Sequence, residues 1–216
     1  YATYTLPERI RPGMDGHALD VGPGYVFFAN NPDLSTASDF SVWARFQLQS
    51  FDNDYNVILS RPGGFWIEWG LFIDPNMTLD FNFTGRDWSG GLFDPLRGTG
   101  PKVNLGQWYD VGVSFRRIGG DLDTVKLYFE GNLVGTFQGH GTFSDTDWLH
   151  IGSIGNATQL NDALFDRVAF WNGVLPDEGF RALSVPEPSS IASLAAAAGF
   201  KAWRWRSGRR TPSHAR

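Results

Sequence analysis

Apolar and polar residues alternate along most of residues 17–173, and short runs of Gly, Asn, Asp and Pro interrupt the alternation. A period of two places every second side chain on the same face of a strand. In residues 40–48, for example, Phe40 and Val42 share an apolar face while Trp43 lies on the opposite one. The same pattern predicts further strands over residues 65–73, 78–83, 107–115, 124–130, 133–137, 148–152 and 164–171.

The segments between these strands favour short turns over helices. Gly131 and Asn132 separate two alternating segments and predict a hairpin turn. Only residues 177–183 have a helical pattern, with Pro176 suited to the start of a helix and acidic residues suited to its first turn. Many short strands with almost no helix between them predict an all-β fold, an antiparallel two-sheet β-sandwich with one short C-terminal helix.

The composition agrees with a single globular domain of this class. The chain has 216 residues, of which 42% are hydrophobic and 19% are charged. Aromatic residues make up 15% of the chain, a high share that favours β-sheet because rings pack well on pleated surfaces. There are no cysteines, which excludes disulfides, thiol nucleophiles and cysteine-ligated zinc.

The net charge of −5 is unevenly distributed. Residues 191–216 contain six basic residues and no acidic one, which leaves 12 basic and 23 acidic residues, a net charge of −11, in residues 1–190. An acidic body of this kind repels nucleic acid, whose binding proteins present clustered positive charge. We therefore expect no nucleic-acid partner and treat the basic C-terminal segment separately.

Several segments follow one another in the order of a known fold. They are residues 17–20 with Tyr25 and Val26, 39–46, 106–113, 126–134, 149–152 and 165–175. Together they resemble the laminin-G-like, or concanavalin A-like lectin/glucanase, β-sandwich, and the likeness extends over roughly residues 17–183. This resemblance implies a jelly-roll arrangement of the two sheets.

The C-terminal segment has three elements in a fixed order. Pro186, Glu187 and Pro188 precede an apolar stretch over residues 191–200, and an Arg-rich end follows. This order resembles a second family, the PEP-CTERM sorting signal of exported bacterial proteins. The resemblance implies processing by an exosortase-type enzyme at the envelope, an inner-membrane contact through the tail before processing, and a Gram-negative-type host. The domain organisation expected from it is a sandwich over residues 1–184 and a sorting signal over residues 185–216.

The apolar stretch is short for a membrane span. Ten residues correspond to about 15 Å of helix, against a hydrocarbon core of about 30 Å. Extending the stretch to Trp205 adds Lys201 and Arg204, whose long side chains can reach the interface. We therefore expect a transient anchor. Export also needs a signal peptide, which residues 1–10 do not resemble, so we expect that Tyr1 is not the translation start.

The sequence offers little support for catalysis. Retaining glycoside hydrolysis needs two carboxylates about 5–5.5 Å apart. Glu68 has no acidic neighbour on its own strand face, although a pair with Asp80 across two strands stays open. Asp121 and Asp123 have suitable spacing but lie in a Gly-rich turn, and the four histidines show no metal-ligand spacing. No serine nucleophile motif occurs either, so we expect a protein that is not an enzyme.

The polar faces of the strands predict a binding surface instead. Aromatic rings can stack on the apolar faces of sugar rings, while carboxylate, amide and guanidinium groups bind hydroxyls. Packing against a neighbouring loop is the alternative for each residue. The candidate ligand-binding residues are Trp43, Arg45, Trp66, Glu68, Asp80, Asn82, Tyr128 and, in a Gly-rich loop, Trp88.

No cofactor is expected with certainty, and calcium is a candidate because laminin-G-like domains frequently bind it. Asp15, Asp162 and residues 52–54 offer oxygen ligands but form no complete calcium loop, so no metal ligand is assigned.

The sequence supports three candidate functions. The first is an exported, non-enzymatic carbohydrate-binding or adhesion domain that recognises extracellular polysaccharide at the bacterial envelope or matrix. The second is a structural envelope protein that makes protein–protein contacts, for which we expect Trp43, Trp66 and Tyr128 to be covered by other parts of the chain. The third is a glycan-cleaving hydrolase or lyase, which requires two carboxylates about 5–10 Å apart in an open groove.

Overall fold

The computed structural model describes residues 10–14, 16–22, 25–28, 38–51, 55–63, 66–84, 92–93, 98–118, 123–139, 149–153 and 162–185. The chain divides into two units, Tyr1–Ser184 and Val185–Arg216. All described elements belong to the first unit. The proposed sorting residues Pro186, Glu187 and Pro188 lie outside the described residues, as does the rest of the tail after Val185.

The first unit consists of β-strands with one short helix at its C-terminal end. The strands are β1 (Ile10–Gly13), β2 (Gly16–Asp20), β3 (Val26–Phe28), β4 (Phe40–Leu48), β5 (Asn56–Gly63), β6 (Trp66–Ile73), β7 (Leu79–Thr84), β8 (Leu92–Phe93), β9 (Trp108–Arg117), β10 (Asp123–Phe129), β11 (Asn132–Gly139), β12 (Leu149–Ile151) and β13 (Ala163–Trp171), and the helix is α1 (Asp177–Leu183).

The strands form two antiparallel sheets. The order is β1-β2-β13-β4-β9-β10-β11 in the seven-stranded sheet and β3-β12-β5-β6-β7-β8 in the six-stranded sheet. Because the two sheets pack face to face with a common core, the predicted all-β antiparallel sandwich is confirmed. The bounds of β4 and α1 agree with the sequence prediction, and β6, β7 and β9 differ from it by one or two residues.

The core lies between the two sheets and is built from the apolar faces that the alternation predicted. In β4, Phe40, Val42 and Ala44 are buried in it, and Phe40 stacks on Phe115 of β9 with ring centroids 5.3 Å apart. Trp69 of β6 stacks on the same Phe40 from the opposite sheet at 5.6 Å. Aromatic contacts of this kind add to the free energy gained by removing apolar area from water.

The hairpin between β10 and β11 turns one residue earlier than predicted. The turn residues are Glu130 and Gly131, with φ values of 51° and 72°, and Asn132 already belongs to β11. Two successive positive φ values match the twist of an antiparallel hairpin. Glu130 tolerates this conformation because its backbone N–H donates to the carbonyl oxygen of Asp110 and its side-chain Oε1 accepts from the Asp110 N–H, each at 2.8 Å.

Helix α1 packs on the outer face of the seven-stranded sheet. Its Phe180 is fully buried and stacks on Tyr128 of β10, with ring centroids 3.9 Å apart and an interplanar angle of 14°. The ring lies over Gly112 of β9, where an added Cβ would be 2.4 Å from it. A second apolar cluster therefore forms outside the main core, from Trp43, Tyr128 and Phe180 with Ala169, Trp171, Leu175 and Leu183 packed around them.

Replacing Phe180 tests the contribution of this second cluster. Removal of a fully buried aromatic side chain costs about 3–5 kcal/mol, so Phe180→Ala should lower the free energy of unfolding by that amount in urea titrations. Val174→Ala is the matched control, because Val174 is exposed, and it should change stability by less than about 0.5 kcal/mol. A loss below about 1 kcal/mol for Phe180→Ala would mean that α1 does not hold this face closed.

Candidate functional site

The predicted binding residues lie on two different outer faces. Trp43, Arg45 and Tyr128 belong to β4 and β10 of the seven-stranded sheet, whereas the other candidates with described side chains belong to the six-stranded sheet. Those candidates are Glu68 of β6 and Asp80 and Asn82 of β7. Trp66 begins β6, but its side chain lies outside the described part, as does the whole of Trp88. Because the core separates the two sheets, these residues do not share one surface.

The candidates of the seven-stranded sheet are covered by α1. Trp43 is 2% exposed and Tyr128 is 1% exposed, and both contact the cluster around Phe180. The sequence pattern correctly places them opposite the core, but it does not show that the chain's own helix covers them. As long as α1 is docked, neither ring is accessible to a sugar.

Arg45 forms a buried ion pair beneath the same helix. Its Nε and Nη2 donate to the two carboxylate oxygens of Asp110 at 2.7 and 2.9 Å, and Nη2 also donates to the carbonyl oxygen of Leu183 at 3.2 Å. The guanidinium also lies over the Trp43 ring, 5.5 Å from its centroid. Two parallel hydrogen bonds fix a guanidinium tightly. Arg45 therefore connects β9 to the C-terminal end of α1, and its contacts here are structural.

The other end of α1 is held by Asp177, which the sequence pattern places in the first turn of the helix without indicating its partners on β10. Asp177 Oδ1 accepts hydrogen bonds from Lys126 Nζ and Tyr128 Oη, each at 2.8 Å. These hydrogen bonds lower the pKa of Asp177 below its ordinary value. Burial, together with the hydrogen bond to Asp177, raises the pKa of the Tyr128 hydroxyl. Tyr128 is thus a neutral donor that positions the first turn of the helix.

The outer face of the six-stranded sheet is different, because its polar residues are buried beside one another. Asp80 has no exposed surface, and Glu68 and Asn82 are each 6% exposed. Arg61 of β5 is also buried and forms an ion pair with Glu68, with Nε and Oε2 3.3 Å apart. The register pairs Arg61 with Trp69 of the core, beside an irregularity at Arg61/Pro62, so Arg61 reaches Glu68 from the irregular end of β5. Burial of charge is costly unless it is compensated, and each of the three charged residues has an interaction partner.

Asn82 is the uncharged member of this group. Its side-chain Oδ1 is buried and accepts no hydrogen bond. A buried acceptor without a donor costs about 1–3 kcal/mol, so native proteins rarely retain one without a reason. An amide oxygen in this state is ready to accept a hydrogen bond from a ligand hydroxyl.

Asn82 lies in a row of residues that crosses the sheet. The strand register pairs Asn82 with Gly70, Gly70 with Ser60, Ser60 with His150, and His150 with Phe27. Directly opposite residues lie on the same face of a sheet, so all five belong to the outer one. With strands about 4.8 Å apart, the row is about 19 Å long. We call these five residues the cross-strand row.

Aromatic rings are concentrated at the β3 end of this row. Tyr25 stacks on His150 with ring centroids 5.6 Å apart and an interplanar angle of 2°, and Phe27 lies 6.1 Å from the same imidazole. Tyr25 and Phe27 are only half-buried. The row therefore has an accessible aromatic end at β3 and a polar end at β7, where Asp80 and Asn82 lie.

His150 is held below the ring of Tyr25. Its Nδ1 lies 3.3 Å from Ser153 Oγ, and Ser60 Oγ donates to the carbonyl oxygen of Ser153 at 2.7 Å. Burial lowers the pKa of His150 below its ordinary value, because the charged imidazolium is poorly solvated there. At neutral pH the imidazole is uncharged.

Arg61, Ser60 and His150 are not among the residues predicted from the sequence. Arg61 is followed at once by Pro62 and Gly63, a pair that indicates a turn, so the pattern does not predict β5 as a strand. His150 stands out in the sequence only for its lack of metal-ligand spacing. The sequence contains one signal that could have identified His150 as part of the site, which is its place in an apolar strand. A histidine that is buried in such a strand needs aromatic or polar neighbours.

The two carboxylates proposed as a cross-strand pair do not face each other. The register places Asp80 opposite Phe72, four residues along β6 from Glu68. Four residues correspond to about 13 Å along a strand, beyond the roughly 5–9.5 Å between the carboxyl groups of glycoside hydrolases. The register thus lends no support to this pair as catalytic residues.

The calcium candidates are mostly outside the described ranges. Asp15 and residues 52–54 lie there, whereas Asp162 uses its backbone oxygen to accept from the N–H groups of Gln49 and Ser50. Among the described residues, no group of three or more metal-ligating side chains occurs. In the same part of the chain, no helix has the length and hydrophobicity to span a membrane.

A family model described as the concanavalin A-like lectin/glucanases superfamily matches residues 20–179, which is most of the sandwich. The chain belongs to this superfamily. Its laminin-G-type resemblance is thereby confirmed, while the sorting-signal resemblance stays a prediction. No curated protein sequence matches the chain.

Solved structures share the fold at low sequence identity. Trypanosoma rangeli sialidase, in complex with a difluoro-KDN inhibitor, matches with a TM-score of 0.59 and 14% identity over 82% of this chain and 28% of the sialidase. The binding domain of Paraclostridial Mosquitocidal Protein 1 matches with a TM-score of 0.60 and 12% identity over 81% of this chain and 44% of that one. The chain spans less than half the length of each, and the likeness shows the fold alone.

The burial of His150 predicts a pH dependence of stability. Its pKa is below the ordinary value of about 6.5 in the folded state, so the unfolded chain takes up a proton first as the pH falls. Stability is therefore fully present above about pH 6.5 and is lost as the pH decreases through the folded pKa, by at most about 1.4 kcal/mol per pH unit.

The measurement is the free energy of unfolding between pH 7.5 and pH 5 in chemical denaturation. His150→Gln should flatten the decrease relative to the wild type, whereas His17→Gln, at an exposed position of β2, should leave it unchanged. Equal slopes for the wild type and His150→Gln would contradict this assignment.

Proposed function

We propose that the protein binds carbohydrate through the outer face of the six-stranded sheet, without cleaving it. The buried Oδ1 of Asn82, which accepts no hydrogen bond, carries this proposal. A sugar hydroxyl is a suitable donor for it, and a buried hydrogen bond of this kind is stronger than one in water. Glu68 and Asn82 each keep 6% of their surface exposed while Asp80 keeps none, so these two are the most accessible of the three. Because the Oδ1 atom itself is buried, a ligand hydroxyl reaches it only when a neighbouring side chain moves aside.

The neighbouring side chains are suited to a sugar ring in two ways. Glu68 keeps a small exposed fraction and provides a carboxylate for hydroxyls, and its ion pair with Arg61 holds it in place. Half-buried Tyr25 and Phe27, at the other end of the cross-strand row, provide aromatic surface for the apolar face of a sugar. Trp66, which begins β6, and Trp88, which lies outside the described residues, stay predicted members of the binding surface.

Charge narrows the class of glycan. Residues 1–190 carry a net charge of −11, and the polar end of the row contains two carboxylates against one guanidinium. A polyanionic polysaccharide is repelled by such a surface. We therefore expect neutral glycans to bind in preference to uronate-rich or sulfated ones.

The superfamily includes lectins, as its name states, which supports carbohydrate as the ligand class.

Asn82→Leu separates binding from folding. Leu has a similar size and removes an acceptor that has no partner, so the variant should be as stable as the wild type or more stable in urea titrations. If Asn82 accepts a ligand hydroxyl, the same variant should bind neutral polysaccharides at least about tenfold more weakly, as a lost hydrogen bond of about 1.4 kcal/mol predicts. The measurement is a polysaccharide array followed by calorimetric titration of the strongest neutral binder.

Trp43→Phe is the matched control on the opposite sheet. It lies under α1, so it should leave the affinity for the same polysaccharide unchanged. The proposal fails if the wild type binds no neutral or acidic glycan, or if Asn82→Leu binds as tightly as the wild type.

Adhesion through protein contacts is the second candidate function. Burial of Trp43 and Tyr128 under α1 favours it, because it removes two of the aromatic side chains from the surface available to sugars. If this second function is correct, the polysaccharide array shows no binding, and the protein still binds a protein partner at the cell surface. A glycan-cleaving enzyme is the least supported function, since Glu68 and Asp80 are not opposite each other.

We infer, as a separate proposal, that residues 185–216 direct the protein to the bacterial envelope or extracellular matrix. Pro186, Glu187 and Pro188 precede the apolar stretch and the basic end in the order of a PEP-CTERM signal. Positive charge after an apolar stretch favours retention of that end on the cytoplasmic side. An exosortase-type enzyme and the inner membrane are the partners this order implies.

Glu187→Ala tests the sorting proposal in a host with an exosortase-type system. The wild-type tail should be removed after export, and the variant should retain it, as measured by mass spectrometry of the C-terminal peptide. Ser190→Ala is the control and should be processed like the wild type. An intact tail on exported wild-type protein would contradict the proposal.

A further inference from the structure

The four edge strands of the two sheets differ in length and chemistry. Three are short, with four residues in β1, three in β3 and two in β8, and β1 also contains Arg11 and Pro12. Short strands, charges and proline are the usual means by which proteins prevent pairing with another chain. The fourth edge, β11, has eight residues and contains neither a charged residue nor proline.

The free side of β11 is open within the described ranges. The strand pairs with β10, and no described residue pairs with its other side. Leu133 is 44% exposed, and Thr136 and Gln138 are exposed on the outer face. Phe137 is half-buried against the core, and its ring lies where a Cβ on Gly135 would be. An extended strand added here would gain backbone hydrogen bonds and cover Leu133 and Phe137.

A register shift at Leu127/Tyr128 limits the regular part of this edge. Val134 is the extra residue on β11, and such a bulge twists a strand locally. Gly135–Gly139 continues in regular pairing with β10 beyond it. The segment available to a partner therefore centres on Thr136 and Phe137.

We propose that β11 pairs with the β11 of a second copy of this chain, antiparallel and about a two-fold axis, to join the seven-stranded sheets of two molecules. Antiparallel self-pairing places the residue on the axis opposite its own copy and pairs its neighbours with one another, so charges near the axis would bring like charges together. β11 has no charge and avoids this repulsion, although residues 1–190 are strongly acidic. A charged peptide would find no complementary charge on this edge.

With the two-fold axis at Thr136, the side chains that face each other across the interface also form favourable pairs. It places Gly135 opposite Phe137 of the second copy, and the reverse pair forms in the other half of the interface. An aromatic side chain opposite a glycine is a favourable cross-strand pair at a sheet edge. Thr136 lies opposite Thr136 on the outer face, a pair that also occurs favourably between strands.

Charge substitution at Thr136 tests this pairing with the full chain in sedimentation equilibrium. The wild type should dimerise, and Thr136→Lys and Thr136→Glu should each weaken dimerisation at least about tenfold, because identical charges meet at the axis. An equimolar mixture of the two variants should recover a heterodimer with near wild-type affinity. Leu105→Lys, at an exposed position away from β11, should dimerise like the wild type.

The outcomes decide the proposal in either direction. Circular dichroism should confirm that the Thr136 variants remain folded, which is expected because Thr136 is exposed. A monomeric wild type at the highest attainable concentration overturns it. So does a wild-type dimer that neither Thr136 variant weakens, or a variant mixture that forms no heterodimer. None of these results depends on carbohydrate binding.

Discussion

Contact between two apolar sheet faces is the constraint on which the rest of the structure depends. Each strand has two faces, and burial of one face in the core leaves the other to meet solvent, another element or a ligand. Phe40, stacked between Phe115 of its own sheet and Trp69 of the opposite one, shows how directly the sheets interlock. Within the described strands, a binding surface has to be built on the two outer faces or at the sheet edges.

The two outer faces are buried in different ways. On the seven-stranded sheet, polar groups are matched by partners from α1, as in the Arg45–Asp110 pair and its hydrogen bond to Leu183. A face that is covered by its own helix has little to offer a ligand, even though Trp43 Nε1 is buried there without a hydrogen-bond partner. On the six-stranded sheet, the Arg61–Glu68 pair lies near an amide oxygen that accepts no hydrogen bond. This contrast, rather than the residue types, distinguishes a structural surface from a candidate binding surface.

Two glycines allow α1 to pack closely on the seven-stranded sheet. Gly112 leaves space for the Phe180 ring, and Gly131 combines a positive φ with close contact to Arg181 and Ser184. Strand β9, the hairpin between β10 and β11, and the helix are therefore fitted to one another, and the helix ends directly before the proposed sorting segment. The same hairpin leads into β11, the long uncharged edge, so one corner of the sandwich carries both the helix and the surface proposed for self-association.

The sequence by itself determined the strands, the faces that form the core and the single helix, because alternation with period two and a proline-started turn are local properties. It also separated an acidic body from a basic tail. It could not decide which strands share a sheet, since pairing joins residues far apart in the chain, and so it combined Trp43 and Asn82 into one surface. Tertiary structure decided that α1 covers Trp43 and Tyr128, that Arg61 pairs with Glu68, and that His150 lies under Tyr25. These facts depend on contacts between distant segments, for which residue order contains no direct signal.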